Sequence, residues 1–184
     1  MALKSTIYKA RLTVSNLNIH HYHDYALTIA RHPSENNLRV MIRLLAFALN
    51  CQEEVQFTKG LSSDNEPDLW KVNHDGSIEH WIELGLPDER HIRQICSKAK
   101  HVTIYTYHHQ QAQQWFDSVS SKAMRFDHLK IVHFVFNNSE ELEAFAEKGM
   151  NLNISIEDNE IWLSNEQDRM SIQFDLAYGR DLSH

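Results

Sequence analysis

The sequence predicts an α/β fold with α+β character: a mixed β-sheet flanked by helices, with additional antiparallel strands at the C-terminus. Three observations carry this. Strand-period alternation opens the chain. Helical and strand-like stretches then take turns between Ser34 and Lys148. Finally, the tail from Leu152 to Leu176 breaks into three short strands separated by turn residues. A strand, a helix and a further strand in that order imply a right-handed crossover and a parallel pair. With 184 residues, 42% of them hydrophobic, the chain reads as one domain over residues 1–184 with a real core.

At the N-terminus, Tyr8, Ala10, Leu12 and Val14 alternate with Ile7, Lys9, Arg11 and Thr13, the period of a half-buried strand with its basic residues outward. A second strand is expected from Tyr22 to Arg31, with Tyr25, Leu27 and Ile29 on one face, although helix propensity competes over Ala26–Ala30. His20, His21 and His23 lie at its start, where alternation groups His21 and His23 without a third ligand, so a solvated strand end is the simpler reading. Ser34 is a candidate helix cap with Glu35 in the first turn, and the helix should run to about Asn50. Leu38, Met41, Ile42, Leu45 and Leu49 form its buried stripe. Glu35, Arg39 and Arg43 fall four residues apart on an adjoining face. They form either a surface ion-pair ladder or a charged group leaning over the end of the sheet.

A short strand over Gln52–Lys59 and a polar loop over Gly60–Asn65 lead to Pro67-Asp68. A hairpin turning at Asp75-Gly76 follows. In its second strand Ile78, His80, Ile82 and Leu84 face one way, and Glu79, Trp81 and Glu83 the other. Pro87 and Asp88 open a helix whose buried side is Ile92, Ile95, Cys96 and Ala99, with Arg90, Arg93 and Lys98 more exposed. A strand over His101–Tyr107, a helix over Gln110–Ser118, a strand over Lys130–Phe136 and a helix over Ser139–Lys148 capped by Ser139 follow. The four tryptophans are spread over different elements and read as core rather than as a base-stacking platform, except that Trp81 can share a face with Glu83.

Function classes narrow from composition. Eighteen basic against 25 acidic residues give a net charge of −7, so any nucleic acid must be bound through a local site. Cys51 and Cys96 show no metal or redox spacing and are expected to be free thiols. No signal-peptide core and no membrane-length apolar run is present, so a cytoplasmic monomer with no membrane association is expected. No phosphate-cradling glycine loop occurs among the five glycines, and no nucleophile elbow surrounds Ser34 or His32.

The strongest chemical signal is an acidic pair. Asp68 and Glu83 stand on neighbouring strands of one hairpin, where their carboxylates can meet at a sheet end. Two converging carboxylates suit Mg²⁺ or Mn²⁺, hard cations that take oxygen ligands and keep waters that a phosphate can displace.

The strings MALKSTIYKA, LTIARHPSE, RLLAFAL, FTKGL, EPDLW, WIELGLPDER and IWLS, in that order, resemble the YaeQ family. The element order over residues 34–107 resembles the PD-(D/E)XK nuclease-like core. The resemblance implies a restriction-endonuclease-like core and, by analogy, metal-assisted phosphodiester cleavage. Asp68, Glu83 and Glu35 would then hold the metal. Asp68 and Glu83 would be catalytic, joined by Arg90 and Arg93 on the following helix. Arg39, Arg43 and Lys98 are further candidates for the cation. The superfamily pattern departs at one place: the lysine expected two residues after the glutamate is Gly85. An arginine stabilises charge but stays protonated, so a metal-bound water would have to be the nucleophile. The contrasting expectation is a non-catalytic protein that keeps the fold and binds nucleic acid or another protein; the resemblance also carries a link to transcription elongation.

Overall fold

The protein is described here by a computed structural model covering residues 4–59, 65–123 and 125–179. Ten strands form one mixed sheet: β1 (Thr6–Asn16), β2 (His21–Arg31), β3 (Gln56–Phe57), β4 (Leu69–Val72), β5 (Ile78–Leu84), β6 (Ala99–Thr106), β7 (Leu129–Val135), β8 (Gly149–Glu157), β9 (Glu160–Ser164) and β10 (Arg169–Tyr178). The helices are α1 (Asn37–Asn50), α2 (Glu89–Lys98), α3 (His109–Ala123) and α4 (Ser139–Ala144). Across the sheet the order is β2-β1-β8-β9-β10-β7-β6-β5-β4-β3. The predicted crossovers appear as parallel pairs β5/β6 and β6/β7.

The C-terminal strands do not simply extend the sheet. β8, β9 and β10 form an antiparallel meander that lies in its middle, with β8 parallel to β1 and β10 antiparallel to β7. The tail therefore joins the N-terminal hairpin to the parallel strands. β1 follows the alternation read from the sequence, burying Tyr8, Ala10, Leu12 and Val14 and leaving Lys9, Arg11 and Thr13 exposed. The competing helix propensity over Ala26–Ala30 is overridden by a continuous antiparallel register with β1, from Thr6 opposite Arg31 to Asn16 opposite His21.

Two apolar clusters lie on opposite faces. The larger packs α1 against the inner face of β1, β8, β9 and β10, with Leu69, Ile82 and Leu84 at its far end. The second holds Trp81, Ile92, Ile95, Val102, Ile104 and Ile131 under α2 and α3. α1 is buried nearly all round rather than along one stripe: Val40, Leu44, Ala46 and Ala48 are as inaccessible as Met41, Ile42 and Leu45. A helix hydrophobic on all sides has to be enclosed, and the sheet and α4 enclose this one.

Several boundaries differ from the sequence reading, each for a local reason. Asn36, not Ser34, caps α1, its side chain accepting from the Arg39 amide at 3.0 Å, while Ser34 bonds the His32 ring. Glu35 therefore precedes the helix instead of sitting in its first turn. The strand expected over Gln52–Lys59 shrinks to Gln56–Phe57, because Cys51–Glu53 continues α1 as a 3-10 turn and Glu54 takes a left-handed φ of 60°. Of the Gly60–Asn65 loop, residues 60–64 lie outside the described residues. α3 is longer than predicted and begins at His109. α4 ends at Ala144 and is capped by Asn138, whose side chain accepts from the Glu140 and Glu141 amides.

The edge strand β2 and the Cys51–Gln56 stretch border an open cleft of about 490 Å³ lined by Tyr25, Leu27, Phe47 and Val55. Both cysteines are free and buried. Among the described residues no helix is long and apolar enough to cross a membrane.

β9 offers a direct test of the layer assignment. Leu163 is fully buried and Trp162, one residue away, is exposed with Arg169 over its ring at 4.5 Å. Leu163→Ala is expected to lower unfolding free energy by about 2–5 kcal/mol. Trp162→Ala should cost under about 1 kcal/mol, both read from urea denaturation.

Candidate functional site

The acidic pair forms where β4 begins and β5 ends. Pairing of Leu69 with Ile82 brings Asp68 alongside the end of β5, and the Asp68 amide donates to the Ile82 carbonyl at 3.1 Å. Its side chain then takes the next amide of the partner strand: Asp68 Oδ2 accepts from Leu84 N at 2.9 Å. Asp68 Oδ1 accepts from Arg39 Nη2 at 2.8 Å. The residue is only 3% exposed, so a charged carboxylate there needs these partners.

Arg39 is the hub. Besides Asp68, its Nη1 donates to the Leu84 carbonyl at 3.3 Å and its Nε to Glu35 Oε1 at 3.0 Å. Glu35 Oε2 accepts from the His32 amide at 2.7 Å and from Arg43 Nη2 at 3.1 Å. The Glu35 and Arg43 side chains are wholly buried, so the row at four-residue spacing is an internal network reaching the acidic pair, not a surface ladder. Arg43 Nη2 also donates to the Ala30 carbonyl. The Arg43 Nε and Nη1 groups have no hydrogen-bond partner among the described residues.

Glu83 belongs to the other side. Sharing a strand face with Trp81, it accepts from Trp81 Nε1 at 2.7 Å through Oε2. Its Oε1 lies 3.3 Å from His91 Nε2. His91 is placed by the cap of α2, where Asp88 Oδ1 accepts from the His91 amide at 2.7 Å. The two carboxylates are thus adjacent yet divided, Asp68 held by α1 and Glu83 by α2. Burial raises the Glu83 pKa, and the Asp68 charge adds to this, against the Trp81 and His91 hydrogen bonds. Burial likewise raises that of Asp68, opposed by Arg39 and the Leu84 amide.

Of the sequence candidates, the structure therefore joins Asp68 and Glu35 in one network with Arg39 and Arg43 as its cations, and sets Glu83 beside it on Trp81 and His91. Arg90 is exposed on α2, and Arg93 is paired with Glu89 at 2.7 Å. Neither has a hydrogen bond or ion pair to Asp68 or Glu83. Lys98 lies over the Trp81 ring at 5.7 Å. The partners that sequence reading missed are the Leu84 backbone, the His32 amide and His91. Only His91 left a trace, as the residue three after the Asp88 cap.

Gly85 also acquires a physical reason. Its φ is +109°, a region nearly closed to side chains, and a Cβ there would meet Arg39 Nη1 at 3.8 Å. The cation beside this position is Arg39 of α1. Among the described residues, no three His, Cys, Asp or Glu side chains are gathered as a metal site. Both Asp68 oxygens already accept hydrogen bonds and the Leu84 carbonyl is held by Arg39, so a cation at Asp68 would compete with a guanidinium.

Three outcomes follow from this network. Arg39→Met leaves Asp68 buried without its counter-charge and is expected to cost about 3–5 kcal/mol. Arg43→Met should cost clearly less, because Glu35 keeps Arg39 and the His32 amide and two unpaired donors disappear; denaturant unfolding of both variants checks the order. In Glu83, a pKa raised in the folded state means that ionisation weakens the fold as pH rises above the ordinary carboxylate value. Glu83→Gln should therefore raise the thermal midpoint at neutral pH, with the gain shrinking on acidification.

Comparison with known proteins places this geometry in a family. The YaeQ protein family model matches residues 1–174. The uncharacterized protein YaeQ of Escherichia coli (strain K12) is 42% identical over 172 residues, 94% of this chain and 95% of the relative. The uncharacterized protein YaeQ of Salmonella typhi is 43% identical over 173 residues, 94% of this chain and 96% of the relative. The crystal structure of YaeQ protein from Xanthomonas axonopodis pv. citri superposes with a TM-score of 0.91 at 31% identity, covering 96% of this chain and 99% of that one. That of YaeQ protein from Pseudomonas syringae gives 0.86 at 26% identity, covering 96% and 97%. With family model, sequence and fold in agreement over nearly the whole chain, this protein belongs to the YaeQ family.

Proposed function

We propose that this chain is a non-catalytic binding protein built on a nuclease-like core, in which Arg39 holds the position that a divalent cation would take. The observation that carries the reading is the placement of one guanidinium across both Asp68 Oδ1 and the Leu84 carbonyl. A carboxylate and an adjacent backbone carbonyl are oxygen ligands of the kind that Mg²⁺ or Mn²⁺ would use. With an internal cation in place, the same oxygens hold α1 against β4 and β5. Three carboxylates, Glu35, Asp68 and Glu83, then face two guanidiniums, and the charge not countered by arginine is that of Glu83.

The second reading, a metal-dependent phosphodiesterase, is supported by the order of elements from α1 to β6 and by Glu83, whose pKa is raised in part by its acidic neighbour. It requires Arg39 to leave Asp68 on metal binding. Breaking a buried ion pair of this kind costs several kcal/mol, which the metal would have to supply. The partner under the first reading is a nucleic acid taken at a local site, or a protein.

Calorimetric titration of Mn²⁺ into the native protein, into Asp68→Asn and into Glu83→Ala separates the two, alongside incubation with DNA and RNA. The expected result is no heat that either substitution removes, and no cleavage. Mn²⁺-dependent cleavage that Asp68→Asn abolishes would establish the enzyme instead.

A further inference from the structure

Away from the acidic pair, the carboxyl ends of β6 and β7 carry a second cluster of ligand-type side chains. His133 on β7 and His109, the first residue of α3, bring their rings to 5.5 Å between centroids, with His109 Nδ1 3.4 Å from His133 Nε2. Asp175 on β10 stands directly opposite His133 in the antiparallel register. We propose that His109 and His133 form a binding site for a borderline transition-metal ion of the zinc class, with Asp175 as a third protein donor and the remaining position open to water or a ligand.

The nitrogen separation is the first argument. Two imidazole nitrogens each about 2.0–2.1 Å from one tetrahedral zinc ion stand about 3.4 Å apart. The pair thus already has the spacing that a shared ion would require.

The second is the support behind His133. Its other ring nitrogen, Nδ1, is 2.7 Å from the Thr106 hydroxyl, and Thr106 is 2% exposed on the adjoining strand β6. A hydrogen bond to the nitrogen that does not bind metal fixes the ring orientation of a metal-ligating histidine. This one turns Nε2 toward His109. Burial, followed by the neighbouring His109, lowers the His133 pKa.

Third, the carboxylate is close at hand. Directly opposed residues of an antiparallel pair have Cβ atoms about 5 Å apart on the same face. Asp175 is exposed, and the side-chain bond it makes to Asn159 is long, at 3.4 Å. The histidines are two ligands rather than a completed triad, and Asp175 is the group that would complete it. Two imidazoles and a carboxylate select zinc, cobalt or nickel over magnesium. The site differs in ligand chemistry from Asp68 and Glu83, and it stands whether or not the acidic pair binds anything.

Cobalt is the practical probe, because a tetrahedral Co²⁺ ion absorbs visibly and Zn²⁺ displaces it. Titrating Co²⁺ into the full-length native protein is expected to show one equivalent with the bands of a low-coordinate ion, bleached by Zn²⁺. His109→Ala and His133→Ala should each weaken uptake at least tenfold. Thr106→Val should weaken it about tenfold by releasing the His133 ring. Asp68→Asn should leave it unchanged, which keeps this test separate from the one on the acidic pair. Near-ultraviolet circular dichroism confirms that each variant is folded; His109 is exposed, so its replacement tests the site without disturbing the core. No uptake by the native protein, or uptake that survives both histidine substitutions, would overturn the proposal. Full uptake by Asp175→Asn would remove Asp175 from the site.

Discussion

One guanidinium holds the acidic end of this molecule together. Arg39 projects from α1 and meets Glu35 before the helix, Asp68 at the start of β4 and the last carbonyl of β5, so three chain segments are fixed to one planar group. Planarity matters: a guanidinium offers five donors in a fixed fork, and here they reach two carboxylates and a carbonyl at once. A lysine in the same place would satisfy one or two of them. Because Asp68 and Glu35 are both buried, the fork cannot be vacated without leaving charge in a poorly polarisable interior.

The two faces of the sheet have different tasks around that point. On one side α1 is wrapped so completely that it serves as the centre of the larger core, and it presents Arg39 and Arg43 from the turns nearest the sheet end. On the other, α2 begins with a capped turn that aims His91 at Glu83. The acidic pair sits at the boundary between these two systems. That is why its members share an electrostatic field and a strand of donors, while Arg39 of α1 bonds one and His91 of α2 meets the other.

Much of the fold was legible from local pattern. The alternation of β1, the hairpin around Asp75 and Gly76, and the three tail strands all follow from period and turn chemistry, and each is observed. What could not be read was where distant segments meet. Nothing near Gly149 says that it will lie parallel to β1, so the additional C-terminal strands carry no local sign that they fill the middle of the sheet. The same limit applies at the site. Spacing put Glu35, Arg39 and Arg43 in line, but whether that line faced water or core depended on β2 and the hairpin packing over it. The caps were misplaced by one or two residues because Ser34 and Asn36 are chemically equivalent candidates, and only the backbone path beyond His32 selects between them.

The pairing of β1 with β8 also constrains how the chain is made. Lys9 and Gly149 are register partners, and Asn18 bonds the Asp158 backbone across 140 positions. As the polypeptide emerges from the ribosome, the β1–β2 hairpin must therefore wait for most of the remaining chain before its inner edge is covered. Until β8 pairs, the β1 edge that it covers is open to any other extended strand. Contacts this far apart in sequence close slowly. Lys9 and Arg11 face outward on this strand, and charged side chains disfavour edge-to-edge pairing.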